Sequence, residues 1–167
     1  MKFKIHKQYR LPEFDYSSNN SYFITICTKD RIHHFGEISN STMYLTEIAV
    51  EAQSLIDNAN KKLEHLMINE YTIMPNHIHL LITLHNKEYE PSNPKNGLYP
   101  LVSKSIPSFI NHFKGKLKRW SNENNFGFFE WQKRYHDRII RDQHEYCTIK
   151  NYIKNNVKNW DNDEDNI

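Results

Sequence analysis

The sequence predicts an α+β fold built on a four-stranded antiparallel sheet. Three observations carry this reading. Short segments rich in aromatic and β-branched residues alternate with longer segments whose apolar residues recur every three or four positions. Two of the strand-like segments are separated only by Pro75-Asn76, a tight-turn pair. A 167-residue chain that is 38% hydrophobic and 25% charged can bury one core without disulfide or metal staples.

Taken in order, Tyr22–Thr28 is a strand after the turn-like Ser17–Ser21. A loop around Gly36 follows, with a short extended stretch near Phe35–Ile38. Leu45, Ile48, Ala49, Ala52, Leu55 and Ile56 predict an amphipathic helix over about residues 43–60, with Thr42 as its N-cap. Leu66–Met74 is the second strand, and His77–His85 returns antiparallel to it. Residues 86–99 are a polar, proline-containing loop, and a loop of this length is either functional or mobile. A basic helix starts between Leu101 and Pro107 and runs to Ser121, with Ile106, Phe109, Ile110, Phe113, Leu117 and Trp120 as its stripe.

A short strand is expected at Tyr135–Ile140. Asp142 and Glu145 then make a capping-box-like start to a last helix ending near Trp160. The order β-α-β-β-α-β-α is that of a ferredoxin-like split βαβ fold with an additional C-terminal helix. One domain is expected over residues 1–160, with 161–167 a disordered acidic tail.

Composition excludes several classes. No run of 18 apolar residues exists, so no transmembrane helix is expected. The basic N-terminus lacks the apolar core of a signal peptide, and Cys27 and Cys147 form no motif, so the reading is a cytoplasmic protein with reduced thiols. Net charge is only +2, yet residues 100–141 hold nine Lys and Arg against three Asp and Glu, and the tail is acidic. That asymmetry fits a polyanion-binding face, although a solvated helix face gives the same pattern.

His77 and His79 are the candidate metal ligands. On a strand, residues i and i+2 share a face, so both imidazoles project from one rigid support and two nitrogens can hold one divalent ion. In a chain with ten histidines such a pair also arises by chance, and two hydrogen-bonded sheet histidines are the plain alternative. In the last helix Tyr146, Ile149, Ile153, Val157 and Trp160 form the apolar stripe. Tyr152 and Asn156 lie beside it, one turn apart, where both can look into a space between helix and sheet. An ordinary helix–sheet border would look the same.

Three stretches together resemble the single-tyrosine HUH transposases, specifically the REP-associated tyrosine transposases. The first is Arg10–Ser17 with Tyr22–Thr28 and Phe35-Gly-Glu-Ile38; the second is Met74-Pro-Asn-His-Ile-His-Leu80. The third is Trp131-Gln132, Asp137–Arg141 and Tyr152-Ile-Lys-Asn-Asn156. The resemblance covers about residues 10–160. It implies Tyr152 as nucleophile and His77, His79 and Asn156 as ligands of Mg²⁺ or Mn²⁺. Many relatives carry proline after that asparagine, where this chain has Val157. The implied reaction cleaves and rejoins single-stranded DNA through a 5′-phosphotyrosine, leaving a free 3′-OH. No general base stands out; His136 is more readily structural.

The implied substrate is hairpin-containing single-stranded DNA. Lys104, Lys114, Lys118, Arg119, Arg134 and Arg138 are expected to meet its phosphates, and Tyr99 or Tyr135 to stack on bases. No membrane partner is expected, and relatives occur both as monomers and as homodimers with shared active sites. The alternative is a non-catalytic or domesticated nucleic-acid-binding module on the same fold. A structural zinc protein is disfavoured, because no cysteine pair accompanies the histidines.

Overall fold

Ser21-Tyr-Phe-Ile-Thr-Ile-Cys27 forms strand β1, and the fold is arranged around it. A computed structural model describes residues 14–87, 89–91, 102–163 and 166. Its elements continue with β2 (Gly36–Ser39), β3 (Thr42–Leu45), helix α1 (Glu47–Lys62), β4 (Leu66–Met74) and β5 (His77–Leu84). Helix α2 (Ile106–Glu123), β6 (His136–Ile140) and helix α3 (Gln143–Asn155) complete it. The large sheet has the order β4-β5-β1-β6, with every neighbouring pair antiparallel. This is the ferredoxin-like order expected from the sequence, an α+β fold with a further helix.

Alternation along β5 sorts the chemistry. Ile78, Leu80, Ile82 and Leu84 point into the main core, under α1 and α2. Leu81 points the other way, into a smaller cluster with Ile140, Ile149 and Ile153. His77 and His79 share the parity of Leu81, so they lie on the α3 face. Burying Ile149 and Ile153 contributes about 1.5–3 kcal/mol each and fixes α3 over that face.

The first helix starts later than its periodicity suggests. Residues 36–45 form a hairpin instead, with Asn40 and Ser41 both in the left-handed region, as a two-residue type I′ turn requires. Gly36 sits at φ +142, and a Cβ there would meet the Tyr44 carbonyl oxygen at 1.9 Å. Thr42, expected as the N-cap, is therefore a strand residue; Thr46 caps α1 by accepting from the Ala49 N–H at 3.3 Å.

The last helix is shorter than expected. Asp142 Oδ1 accepts from the Glu145 N–H at 2.8 Å, and Glu145 Oε2 accepts from the Arg141 N–H at 2.9 Å, close to the predicted box. The α-helical turn stops at Asn155, and Val157–Asn162 tightens into a 3-10 helix that buries Trp160. Where the sequence predicts a disordered tail from residue 161, Asp161 and Asn162 thus belong to that helix. Trp160 supplies the anchor that composition alone does not reveal. The basic segment at 1–10, residues 92–99 of the long loop, Leu101 and tail residues 164, 165 and 167 lie outside the described residues.

Candidate metal and tyrosine site

The β4–β5 turn places the first histidine. Asn76 has no positive φ, and what it brings to the turn is its hydrogen bonds. It is fully buried: its carbonyl accepts from Thr28, and its side-chain Oδ1 lies 2.8 Å from His77 Nδ1. A carbonyl oxygen only accepts, so Nδ1 carries the proton and His77 Nε2 presents a lone pair. His79 Nδ1 lies 2.8 Å from Thr25 Oγ1 on β1, and the two Nε2 atoms are 3.0 Å apart.

Both rings are held neutral. Burial pushes the His79 pKa down to about 3, helped by the Arg31 guanidinium. Burial, then His79, Arg31 and His33, hold His77 well below the ordinary range. With His77 Nε2 bare, the His79 Nε2–H donates to it and the Thr25 hydroxyl donates to His79 Nδ1. A metal needs both Nε2 lone pairs, so the His79 proton must move to Nδ1. Thr25 can then accept from it, because a hydroxyl serves in either sense.

Helix α3 and the turn after it bring the other groups. Tyr152 Oη lies 3.3 Å from His79 Nε2 and 3.5 Å from Asp163 Oδ2, and its ring meets Phe23 edge-on. Asn156 is 1% exposed and donates from Nδ2 to Asp163 Oδ2 at 2.6 Å. Trp160 packs against the rings of His77 and His33 and pins the turn carrying Asp163. The acidic composition predicts a disordered tail that includes Asp163. The signal that could have found it is the buried-stripe residue Trp160 three positions earlier.

The donor set fits a divalent ion. His77, His79 and Asp163 each offer one atom, all within 4.8 Å of one another. The two imidazole Nε2 atoms face each other at 3.0 Å, so both could serve one ion. Asn156 Oδ1 is buried with no hydrogen-bond partner, an acceptor beside the same carboxylate. Two imidazoles with carboxylate and amide oxygens and no thiolate are donors that a divalent ion takes, and they do not make a closed structural zinc site.

The basic residues expected on DNA are spread, and several are already engaged. Lys114 Nζ donates to the carbonyls of Gln132 and Lys133, and burial lowers its pKa. Lys118 Nζ donates to the carbonyls of Gly127 and Phe129. Arg138 is ion-paired with Glu145. Lys104, Arg119 and Arg134 are exposed. For Lys114 and Lys118 the physical role visible here is to hold the 126–133 segment against α2. His136 pairs with Thr25 in the sheet register, with β1 lying between it and His79. Tyr135 packs against the main core, and Tyr99 lies outside the described residues.

No protein-family model matches the chain. An uncharacterized protein of Haemophilus influenzae is 32% identical to it over 165 residues, covering 93% of this chain and 89% of that protein. Among solved structures, a REP-associated tyrosine transposase bound to a REP hairpin superposes with a TM-score of 0.62 at 19% identity, over 93% of this chain and 74% of that one. A candidate transposase from Deinococcus radiodurans gives a TM-score of 0.48 at 17% identity, over 90% and 97% of the two chains.

Proposed function

We propose, for a chain that belongs to one family with the Haemophilus influenzae protein and has the fold of a REP-associated tyrosine transposase, that it cleaves and rejoins single-stranded DNA with Tyr152 as the nucleophile. The observation that carries this reading is the convergence of the Tyr152 hydroxyl, the His77–His79 pair and Asp163 on one side of the sheet. A sheet histidine pair alone needs no tyrosine, and a structural metal site gains nothing from a phenol at its edge.

In this reading His77, His79 and Asp163, with Asn156 beside them, hold a divalent ion such as Mg²⁺ or Mn²⁺, which would neutralise charge on the scissile phosphate. Asn76 and Thr25 orient the two imidazoles from behind. Arg31 adds positive charge close to both rings, which suits an anionic substrate. Tyr152 Oη attacks phosphorus as the bond from phosphorus to the 3′ oxygen breaks. The phenol proton is lost to solvent, and the 3′ oxygen takes one up to leave as a free hydroxyl. The 5′ phosphate stays on the tyrosine, so its bond energy is kept for rejoining without ATP.

The structural neighbour is bound to a REP hairpin, and a hairpin with an unpaired flank is the substrate inferred here by analogy. The catalytic domain is taken to run through Asp163, which belongs to the site, and to act as a monomer or a homodimer. The test is incubation of the full chain with labelled hairpin oligonucleotides and Mn²⁺, followed by denaturing electrophoresis. A covalent protein–DNA band lost in Tyr152→Phe is expected. Metal-independent binding without any such band across a hairpin library would instead favour a non-catalytic nucleic-acid-binding module.

A further inference from the structure

We propose that the rings of His34, Phe128, Phe126 and Trp120 form a stacking platform for unpaired bases flanking the cleavage site, an inference that rests on the single-stranded DNA reading above. Phe128 is 65% exposed, more than any other large hydrophobic side chain among the described residues. It is not an isolated surface ring. His34 lies 5.6 Å from it, Phe126 lies 6.0 Å from it, and Trp120 stacks on Phe126 at 5.7 Å with only 14° between planes.

The platform is held rigidly from beneath. Phe129 is fully buried, 5.5 Å from the His34 ring, and Lys118 Nζ ties the loop through the Gly127 and Phe129 carbonyls. Rigid aromatic faces bind bases at low entropic cost, and base–aromatic stacking tolerates any sequence. Its surroundings favour a nucleic acid over an apolar protein partner. Lys116 lies one helical turn before Trp120 and is exposed, as is the adjacent Arg119; Asn122, Asn124 and Asn125 are exposed polar residues, and the exposed acidic residues are Glu123 and Glu130, the latter ion-paired with Lys29. Continuity with the candidate site is direct. His33, next to His34, meets Trp160 at 5.9 Å, and Trp160 meets His77 at 6.2 Å.

The test uses the full chain and two fluorescein-labelled DNA hairpins, one blunt and one with an unpaired flank, followed by anisotropy with EDTA present. The wild type should bind the flanked hairpin more tightly and show quenching of tryptophan emission. Phe128→Ala should weaken flanked binding by about 5–50-fold while leaving blunt binding unchanged, and Phe128→Tyr should restore it. Equal affinity of wild type for the two hairpins, unchanged flanked binding in Phe128→Ala, or equal losses on both hairpins would each overturn the platform. The covalent-adduct assay with Mn²⁺ separates the two ideas. Flank-dependent binding through Phe128 without any Tyr152 adduct would leave the platform standing and remove the transposase reading.

Discussion

Tyr152 Oη lies 3.3 Å from His79 Nε2, although 73 residues separate them in the chain. The contact exists because β5 turns His79 toward the face that Ile149 and Ile153 of α3 also bury. One helical turn separates Tyr152 from Asn156, and the 3-10 helix then returns Asp163 to both. A nucleophile-type side chain and a metal-type donor set are thus fixed by the same packing.

Thr25 should control metal affinity without touching the metal. Its hydroxyl is the group that can accept the His79 Nδ1 proton when both Nε2 atoms are needed as donors. Thr25→Val keeps the shape of this buried side chain and removes that acceptor. Mn²⁺ affinity, measured by titration calorimetry, should fall by about 10-fold. The folded chain should lose only about 1–3 kcal/mol from the unpaired buried nitrogen. Unaltered affinity would mean that His79 does not bind metal through Nε2.

Asp163 should behave as a ligand and not as a tail residue. Asp163→Asn keeps the size and removes the charge next to His77 and His79. Mn²⁺ affinity should drop by about 10-fold or more, while the thermal midpoint of the metal-free chain changes little because Asp163 is only partly buried. Asn156→Ala, which deletes the amide donating to Asp163, should weaken the ion less. An Asn156 variant worse than the Asp163 variant would make the amide the principal oxygen ligand.

Metal-free stability should fall on acidification. Unfolded histidine titrates near 6.5, whereas burial holds folded His79 down to about 3 and His77 well below its ordinary range. Below about pH 6.5 the unfolded chain therefore binds more protons, so these two groups contribute stability that is present above that pH and is lost as pH falls toward 3. Urea unfolding in EDTA, followed by tryptophan fluorescence, should show a loss of up to about 4 kcal/mol between pH 7 and pH 5. In the His77→Gln/His79→Gln double variant most of that slope should vanish. A slope equal to the wild type would mean that other groups carry the acid sensitivity.

The sheet and its face were legible because both rest on period. Alternation in His77–Leu84 and the 3–4 spacing through Ile149 and Ile153 each name a buried side, and Pro75-Asn76 allows only a tight return between strands. Of the hairpin at 36–45, the first strand was legible as the extended stretch near Phe35–Ile38, and the return strand was not. Its Leu45 continues the helical spacing of α1, while its signal is backbone conformation at Gly36, Asn40 and Ser41. Asp163 was hidden because one ring, Trp160, orders a segment whose composition is acidic and polar. Lys114 and Lys118 read as DNA contacts because sequence shows a charge but not the carbonyls it meets.

The most direct test of the account is where the covalent bond forms. The chain has ten tyrosines, and Tyr152 carries its hydroxyl beside His79. After reaction with a hairpin oligonucleotide and Mn²⁺, nuclease trimming and peptide mass spectrometry should place a 5′-phosphonucleotide on Tyr152 alone, with none formed in EDTA or in Tyr152→Phe. A phosphonucleotide on another residue, or an adduct that persists in Tyr152→Phe, would contradict it.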